Sequence, residues 1–139
     1  MARLLEQEGS DVWSIRPGAT VYEALEMLAD KGIGALMVVE GDRLVGILSK
    51  RDYARRVVLQ GRASRSTPVR DIMTANVLTV TRESTTGDCM ELMTNERIRH
   101  LPVVEGDEVV GLISIGDVVR AVIEEQRFLI EQLESYITG

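Results

Sequence analysis

Gly46-Ile47-Leu48-Ser49-Lys50-Arg51-Asp52 and Gly111-Leu112-Ile113-Ser114-Ile115-Gly116-Asp117 are one phrase written twice in a chain of 139 residues. Each copy reads as an apolar strand that stops at a hydroxyl and passes into a helix, with a carboxylate three residues on. A serine at that point is a helix N-cap, because its side-chain oxygen accepts backbone N–H groups that the first helical turn leaves without partners. The aspartate falls in the first turn, where the helix dipole favours negative charge. Capping accounts for both residues on its own. The same geometry also allows a ligand site, with the hydroxyl and backbone N–H groups for a phosphate and the carboxylate for sugar hydroxyls.

Working outward, the duplication extends far beyond the phrase. A shift of 65 residues lays Val38-Val39-Glu40-Gly41-Asp42 on Val103-Val104-Glu105-Gly106-Asp107, Ser49 on Ser114, Asp52 on Asp117 and Arg55 on Arg120, without a gap. Between residues 20 and 57, 15 of 38 positions are identical to their partners, so duplication is the simple explanation and two units about a pseudo-twofold are expected.

Each unit reads as β-α-β-β-α. Asp11-Val12-Trp13-Ser14-Ile15 is a short strand and Arg16-Pro17-Gly18-Ala19 a turn. A helix follows from about Thr20, with Val21, Ala24, Leu25 and Leu28 on one face and Thr20 and Glu23 as a capping box. Gly32-Ile33-Gly34 ends it. Ala35 to Val39 is an apolar strand, Glu40-Gly41-Asp42 a hairpin turn, and Arg43 to Leu48 the return strand. A second helix runs from Lys50 to about Gln60. The second unit repeats the pattern: a strand near Val77–Val80, a helix over Thr85–Glu96, and strands over His100–Glu105 and Val109–Ile113. Val69-Arg70-Asp71-Ile72-Met73 is a short helical entry, with Arg3-Leu4-Leu5-Glu6 as its loose counterpart. The last helix should run from Ile115 to about Ile137. Its stripe of Val118, Val122, Leu129, Leu133 and Tyr136, interrupted by Glu125, suits a dimerisation surface better than a cofactor box. The fold class is therefore α/β of the α+β kind. Unit one is 1–60, a polar linker 61–68, unit two 69–123, and a C-terminal helix extension 124–139.

Composition bounds the function. At 45% hydrophobic but 4% aromatic, the chain can bury a core of Val, Leu, Ile, Met and Ala. No apolar run approaches the ~20 residues of a membrane span, and the acid-bearing start, Met1 to Glu8, resembles no secretory signal. One cysteine, Cys89, and one histidine, His100, leave no intramolecular disulfide and no metal cluster. The expected setting is cytoplasmic. A formal charge of −6 argues against a nucleic-acid partner. That charge is uneven: residues 41–75 hold eight basic residues against three acids, and residues 105–139 hold eight acids against two arginines. Arg62, Arg65 and Arg70 read as solvated linker residues, and Cys89 and the methionines as core filling.

These phrases, in order and twice, resemble a tandem pair of cystathionine-β-synthase (CBS) domains, the Bateman module. The resemblance rests on Thr20-Val21-Tyr22-Glu23-Ala24-Leu25, Gly34-Ala35-Leu36-Met37-Val38-Val39, Val69-Arg70-Asp71-Ile72-Met73 and Arg97-Ile98-Arg99-His100-Leu101-Pro102-Val103-Val104, beside the doubled Gly-h-h-Ser-x-x-Asp. The ending is similar to that of small stand-alone CBS-pair proteins, a group described as adenosine-nucleotide sensors and as activators of thioredoxin-type proteins. The resemblance implies two clefts between the units. Cleft one would combine Ile47, Ser49, Lys50, Arg51 and Asp52 with Thr79, Val80, Thr85, Cys89, Ile98, Arg99 and His100. Cleft two would combine Leu112, Ser114, Gly116 and Asp117 with Ser14, Ile15, Thr20, Ala24, Ile33, Gly34 and Ala35.

The ligand so implied is an adenosine compound: AMP foremost, with ADP, ATP, NAD(H) and S-adenosylmethionine open. Cations set the clefts apart, since Arg51, Arg99 and His100, with Lys50 and Arg97 nearby, favour a phosphate in cleft one. Three functions follow. The first is a regulatory energy- or redox-sensing module, homodimeric, that acts on an unknown protein target. The second is an enzyme using Ser49 or Ser114 with His100 as base, disfavoured because no third residue is spaced to orient the pair. The third is a ligand-free structural or interaction module.

Overall fold

The computed structural model describes residues 13–138. The expected strand positions Asp11 and Val12 and the segment Arg3–Glu6 lie outside the described residues. In chain order the elements are β1 (Ser14–Ile15), α1 (Val21–Lys31), β2 (Ala35–Glu40), β3 (Arg43–Ser49), α2 (Lys50–Tyr53), α3 (Thr86–Glu96), β4 (His100–Glu105), β5 (Glu108–Ser114) and α4 (Ile115–Thr138). A π-helical stretch, Ala54–Val58, prolongs α2, and a 3-10 turn spans Val69–Asp71.

Local chemistry sets the ends of these elements. Thr20 accepts from the Glu23 N–H at 3.1 Å while the Glu23 carboxylate accepts from the Thr20 N–H at 3.3 Å, closing the expected box. Gly32 ends α1 in the left-handed region at φ 62°, a conformation glycine adopts without strain. Thr85 and Asp88 cap α3 in the same way.

Two small sheets result. In the first, β1 runs parallel to β2 and β2 antiparallel to β3; in the second, β4 pairs antiparallel with β5. The hairpins match residue for residue: Ala35 faces Ser49 as His100 faces Ser114, and a bulge falls after Val38 as after Val103. The strand expected near Val77–Val80 is reduced to one parallel bridge, Val80 to Val103. The Val80 N–H donates to the Pro102 carbonyl at 3.0 Å, and the Val104 N–H to the Val80 carbonyl at 2.9 Å. The next rung would need an N–H from Pro102, which proline lacks, so the ladder stops.

The helix expected from Lys50 to Gln60 is α-helical only as far as Tyr53. Beyond it the Leu59 N–H reaches back five residues to the Ala54 carbonyl at 3.1 Å. Its repeat partner, the first turns of α4, is α-helical. Two cores form. The first gathers Val21, Ala24, Leu28, Leu36, Val38, Leu48 and Val57, and the second Val80, Cys89, Met93, Leu101, Val103, Ile113 and Val118. Each large side chain so buried is worth about 1.5–3 kcal/mol.

Residues after the expected linker belong to the first core: Val69 and Ile72 are both fully buried there. The linker itself is stitched down. Thr67 is buried, its carbonyl accepts from the Val21 N–H at 2.9 Å, and the Ser64 carbonyl accepts from the Tyr22 N–H at 3.0 Å. Linker carbonyls thus satisfy donors that the first turn of α1 leaves open. Arg65 is not merely solvated, because its guanidinium lies over the Tyr22 ring at 4.2 Å. No helix among the described residues is long and apolar enough to cross a membrane.

Candidate functional site

The two Ser-x-x-Asp phrases sit at strand-to-helix junctions, where the sequence places them. In unit one, Asp52 Oδ2 accepts from the Ser49 N–H at 2.9 Å and from the Ser49 hydroxyl at 3.0 Å, while Ser49 Oγ accepts from the Asp52 N–H at 3.2 Å. Asp52 Oδ1 accepts from the Thr74 hydroxyl at 3.3 Å. Ser49 therefore directs its hydroxyl proton to a carboxylate, and not to His100 as a nucleophile–base pair would require. In unit two, Asp117 Oδ2 accepts from the Ser114 N–H at 2.8 Å, and Asp117 Oδ1 is in an ion pair with Arg120. A neutral hydroxyl holds one carboxylate and a guanidinium holds the other.

A cavity of about 470 Å³ opens at the first junction. Its unit-one wall is Gly34, Ile47, the run Ser49–Asp52, Arg55 and Arg56. Thr74 and the run Glu96–His100 close it from the other side. The size lies within the range of small-molecule sites, roughly 300–1,000 Å³. Six cations, Lys50, Arg51, Arg55, Arg56, Arg97 and Arg99, face two carboxylates, Asp52 and Glu96. The walls are tied across the units, since Arg51 Nη1 donates to the Arg97 carbonyl at 3.1 Å. Arg56 Nη1 donates to the Ile72 and Met73 carbonyls at 3.0 and 2.9 Å.

The loop between α3 and β4 begins at a left-handed cap. Arg97 is left-handed at φ 55°, the one non-glycine residue with positive φ among the described residues, where unit one has Gly32. A side chain there costs about 1–2 kcal/mol, and such strain gathers at functional sites. One matching bond in each unit joins this loop to the helix after the hairpin: the Lys50 N–H to the Gly34 carbonyl at 3.2 Å, and the Ile115 N–H to the Arg99 carbonyl at 2.9 Å. His100 packs so closely on Gly34 that a Cβ at residue 34 would lie 3.2 Å from its Nε2. Burial lowers the His100 pKa; nearby Asp117 opposes the shift and Arg99 adds to it.

The structure gathers much of the expected first cleft. Ile47, Ser49, Lys50, Arg51, Asp52, Ile98, Arg99 and His100 line one cavity. Val80 and Cys89 do not: both side chains are packed in the second core, where burial also raises the Cys89 pKa. Thr79 is exposed, and Thr85 is the exposed cap of α3, 3.0 Å from the Asp88 N–H. Of the second expected set, Ala24 and Ala35 are fully buried, and Ile15 and Ile33 each pack on the first core. Thr20 caps α1 and bridges to Pro68, and Ser14 is exposed in β1. Gly34 turns up in the first cavity, against His100. Leu112, Ser114, Gly116 and Asp117 remain together at the β5–α4 junction. Sequence reading passed over Arg55, Arg56, Thr74 and Glu96 as lining residues. Only Arg55 carried a signal, its recurrence as Arg120 three residues past the aspartate.

Comparisons with known proteins bear on the family and the fold. The family model described as CBS domain matches residues 9–59 and again residues 69–124. The mitochondrial CBS domain-containing protein CBSX3 of Arabidopsis thaliana is 44% identical over 137 residues, covering 95% of this chain and 66% of its own length. A solved structure of a protein with CBS domains from Burkholderia ambifaria MC40-6 is 48% identical, with TM-score 0.86, over 91% of this chain and 95% of its own. The CBS domain protein PAE2072 from Pyrobaculum aerophilum, solved in complex with AMP, is 28% identical with TM-score 0.79, over 89% of this chain and 95% of its own.

Proposed function

We propose a function from one premise, that this chain belongs to the CBS-domain family: it is a regulatory module that binds an adenosine nucleotide in cleft one and passes the occupancy on through α4. The observation that carries the reading is the cavity at Ser49 and Asp52, where one carboxylate held by neutral hydroxyls faces a concentration of cations. Asp52 receives the ribose hydroxyls, the apolar wall at Ile47 and Ile98 receives the adenine face, and the cations receive phosphate. The AMP-bound relative supports the ligand class. In unit two Asp117 is already paired with Arg120, so cleft two is the weaker site.

The output runs through one backbone hydrogen bond, from Ile115 to Arg99. The Arg99 carbonyl holds the first N–H of α4 at 2.9 Å, so a ligand that draws on Arg99 and His100 acts on the start of a helix of 24 residues. Far along that helix Phe128, Leu129, Ile130, Leu133 and Ile137 are exposed. That apolar run suits a second copy of the chain, which makes a homodimer the expected receiver of the signal. The reading assigns no catalytic step.

Isothermal titration calorimetry with a panel of adenosine compounds tests it, beside mass spectrometry of any compound that co-purifies. Micromolar or tighter binding of an adenosine nucleotide, weakened by D52N, is expected. No binding across the panel would leave the interaction-module reading in its place.

A further inference from the structure

Resting on that reading of cleft one, we infer that the ligand is a nucleoside triphosphate in preference to the monophosphate, and that Arg55 and Arg97 form the subsite for its distal phosphates. The cavity's six cations exceed its two carboxylates by four. A monophosphate brings about two negative charges near neutral pH, and each further phosphate adds about one more, so the triphosphate is the nearest match. S-Adenosylmethionine carries a cationic sulfonium and fits this wall worst.

The subsite is built by departures from the repeat. Arg55 and Arg120 are the same residue in the same register, three past the aspartate. Arg120 folds onto Asp117 within a regular helix, whereas Arg55 lies in the π-helical stretch and lines the cavity. A π-helical segment inside a helix frequently marks a functional site. Asp52 is instead held by Thr74 at 3.3 Å, which releases Arg55 from that duty. Arg97 occupies the left-handed position that unit one gives to Gly32, and strain accepted for a cation is accounted for by what the cation holds. Arg51 and Arg56 are engaged with backbone carbonyls. The guanidinium groups of Arg55 and Arg97 make no salt bridge among the described residues.

Calorimetry on the full chain with AMP, ADP and ATP, in buffer containing a chelator, tests the inference. ATP should bind roughly tenfold or more tightly than AMP, with ADP between, since charge-assisted hydrogen bonds are stronger than neutral ones. R55Q and R97G should each lose several-fold more affinity for ATP than for AMP. Inorganic triphosphate should compete with ATP on the unsubstituted chain where orthophosphate does not, a readout that needs no variant to fold. Equal affinity for AMP and ATP overturns the triphosphate assignment and leaves the adenosine reading standing. Failure of all three nucleotides to bind overturns the adenosine reading, and this inference with it.

Discussion

The two halves of the molecule carry the same Ser-x-x-Asp-x-x-Arg and use it differently. In unit two the motif closes on itself, Arg120 against Asp117. In unit one the aspartate is held by Ser49 and by Thr74, a residue from beyond the linker, and the arginine faces a cavity. The contrast teaches that a duplicated motif becomes a site through what surrounds it. A paired carboxylate has its charge answered already, and a ligand would have to break an ion pair to use it. A carboxylate held by hydroxyls keeps its charge and has lone pairs to offer.

The comparison breaks most visibly at the aspartates. D52N should cost cleft one about 100-fold in nucleotide affinity, two charge-assisted bonds at about 1.5 kcal/mol each, while D117N changes it little. Calorimetry on both variants decides; equal losses would mean that the halves work alike. G46A should come next. A Cβ there would lie 2.5 Å from Met73 Sδ and 3.1 Å from the Thr74 carbonyl. The segment that supplies Thr74 must then shift, at about 1–3 kcal/mol of overpacking, and binding should weaken alongside. Denaturant melts with and without nucleotide read both effects.

R97G separates stability from function. Removing the side chain from a left-handed residue should raise stability by about 1 kcal/mol even as nucleotide affinity falls. A variant that loses both would show that Arg97 holds the loop and not a ligand. The smallest effect is expected from His100. Its folded pKa lies below the ordinary 6.5, because burial disfavours the charged form. The unfolded chain therefore binds the proton more readily, so His100 lowers stability as pH falls below about 6.5 and has no such effect above it. Thermal melts from pH 8 to pH 5.5 should fall less steeply in H100Q.

Much of the architecture was legible in residues alone. The repeat of 65 marked out two matched hairpins, and the capping box at Thr20 and the serine caps placed helix starts, because caps and turns are settled within four residues of chain. Elements that depend on distant partners were harder to place. The strand at Val77–Val80 failed for want of one N–H on Pro102, on a strand it meets only after folding. The linker read as solvated, yet its carbonyls finish α1, and Val69 and Ile72 just beyond it enter the first core.

The same division holds at the site. Sequence by itself determined the family, the doubled serine and aspartate, and the basic centre of the chain, since these are properties of residue identity and spacing. Only the tertiary structure decided which identical arginine would pair with its own aspartate and which would face a cavity. That choice rests on Thr74, 22 residues from Asp52, and on a helix wound one residue wide in one copy and not in the other. Spacing along a chain does not encode either, because both are settled by which surfaces the two halves bring together.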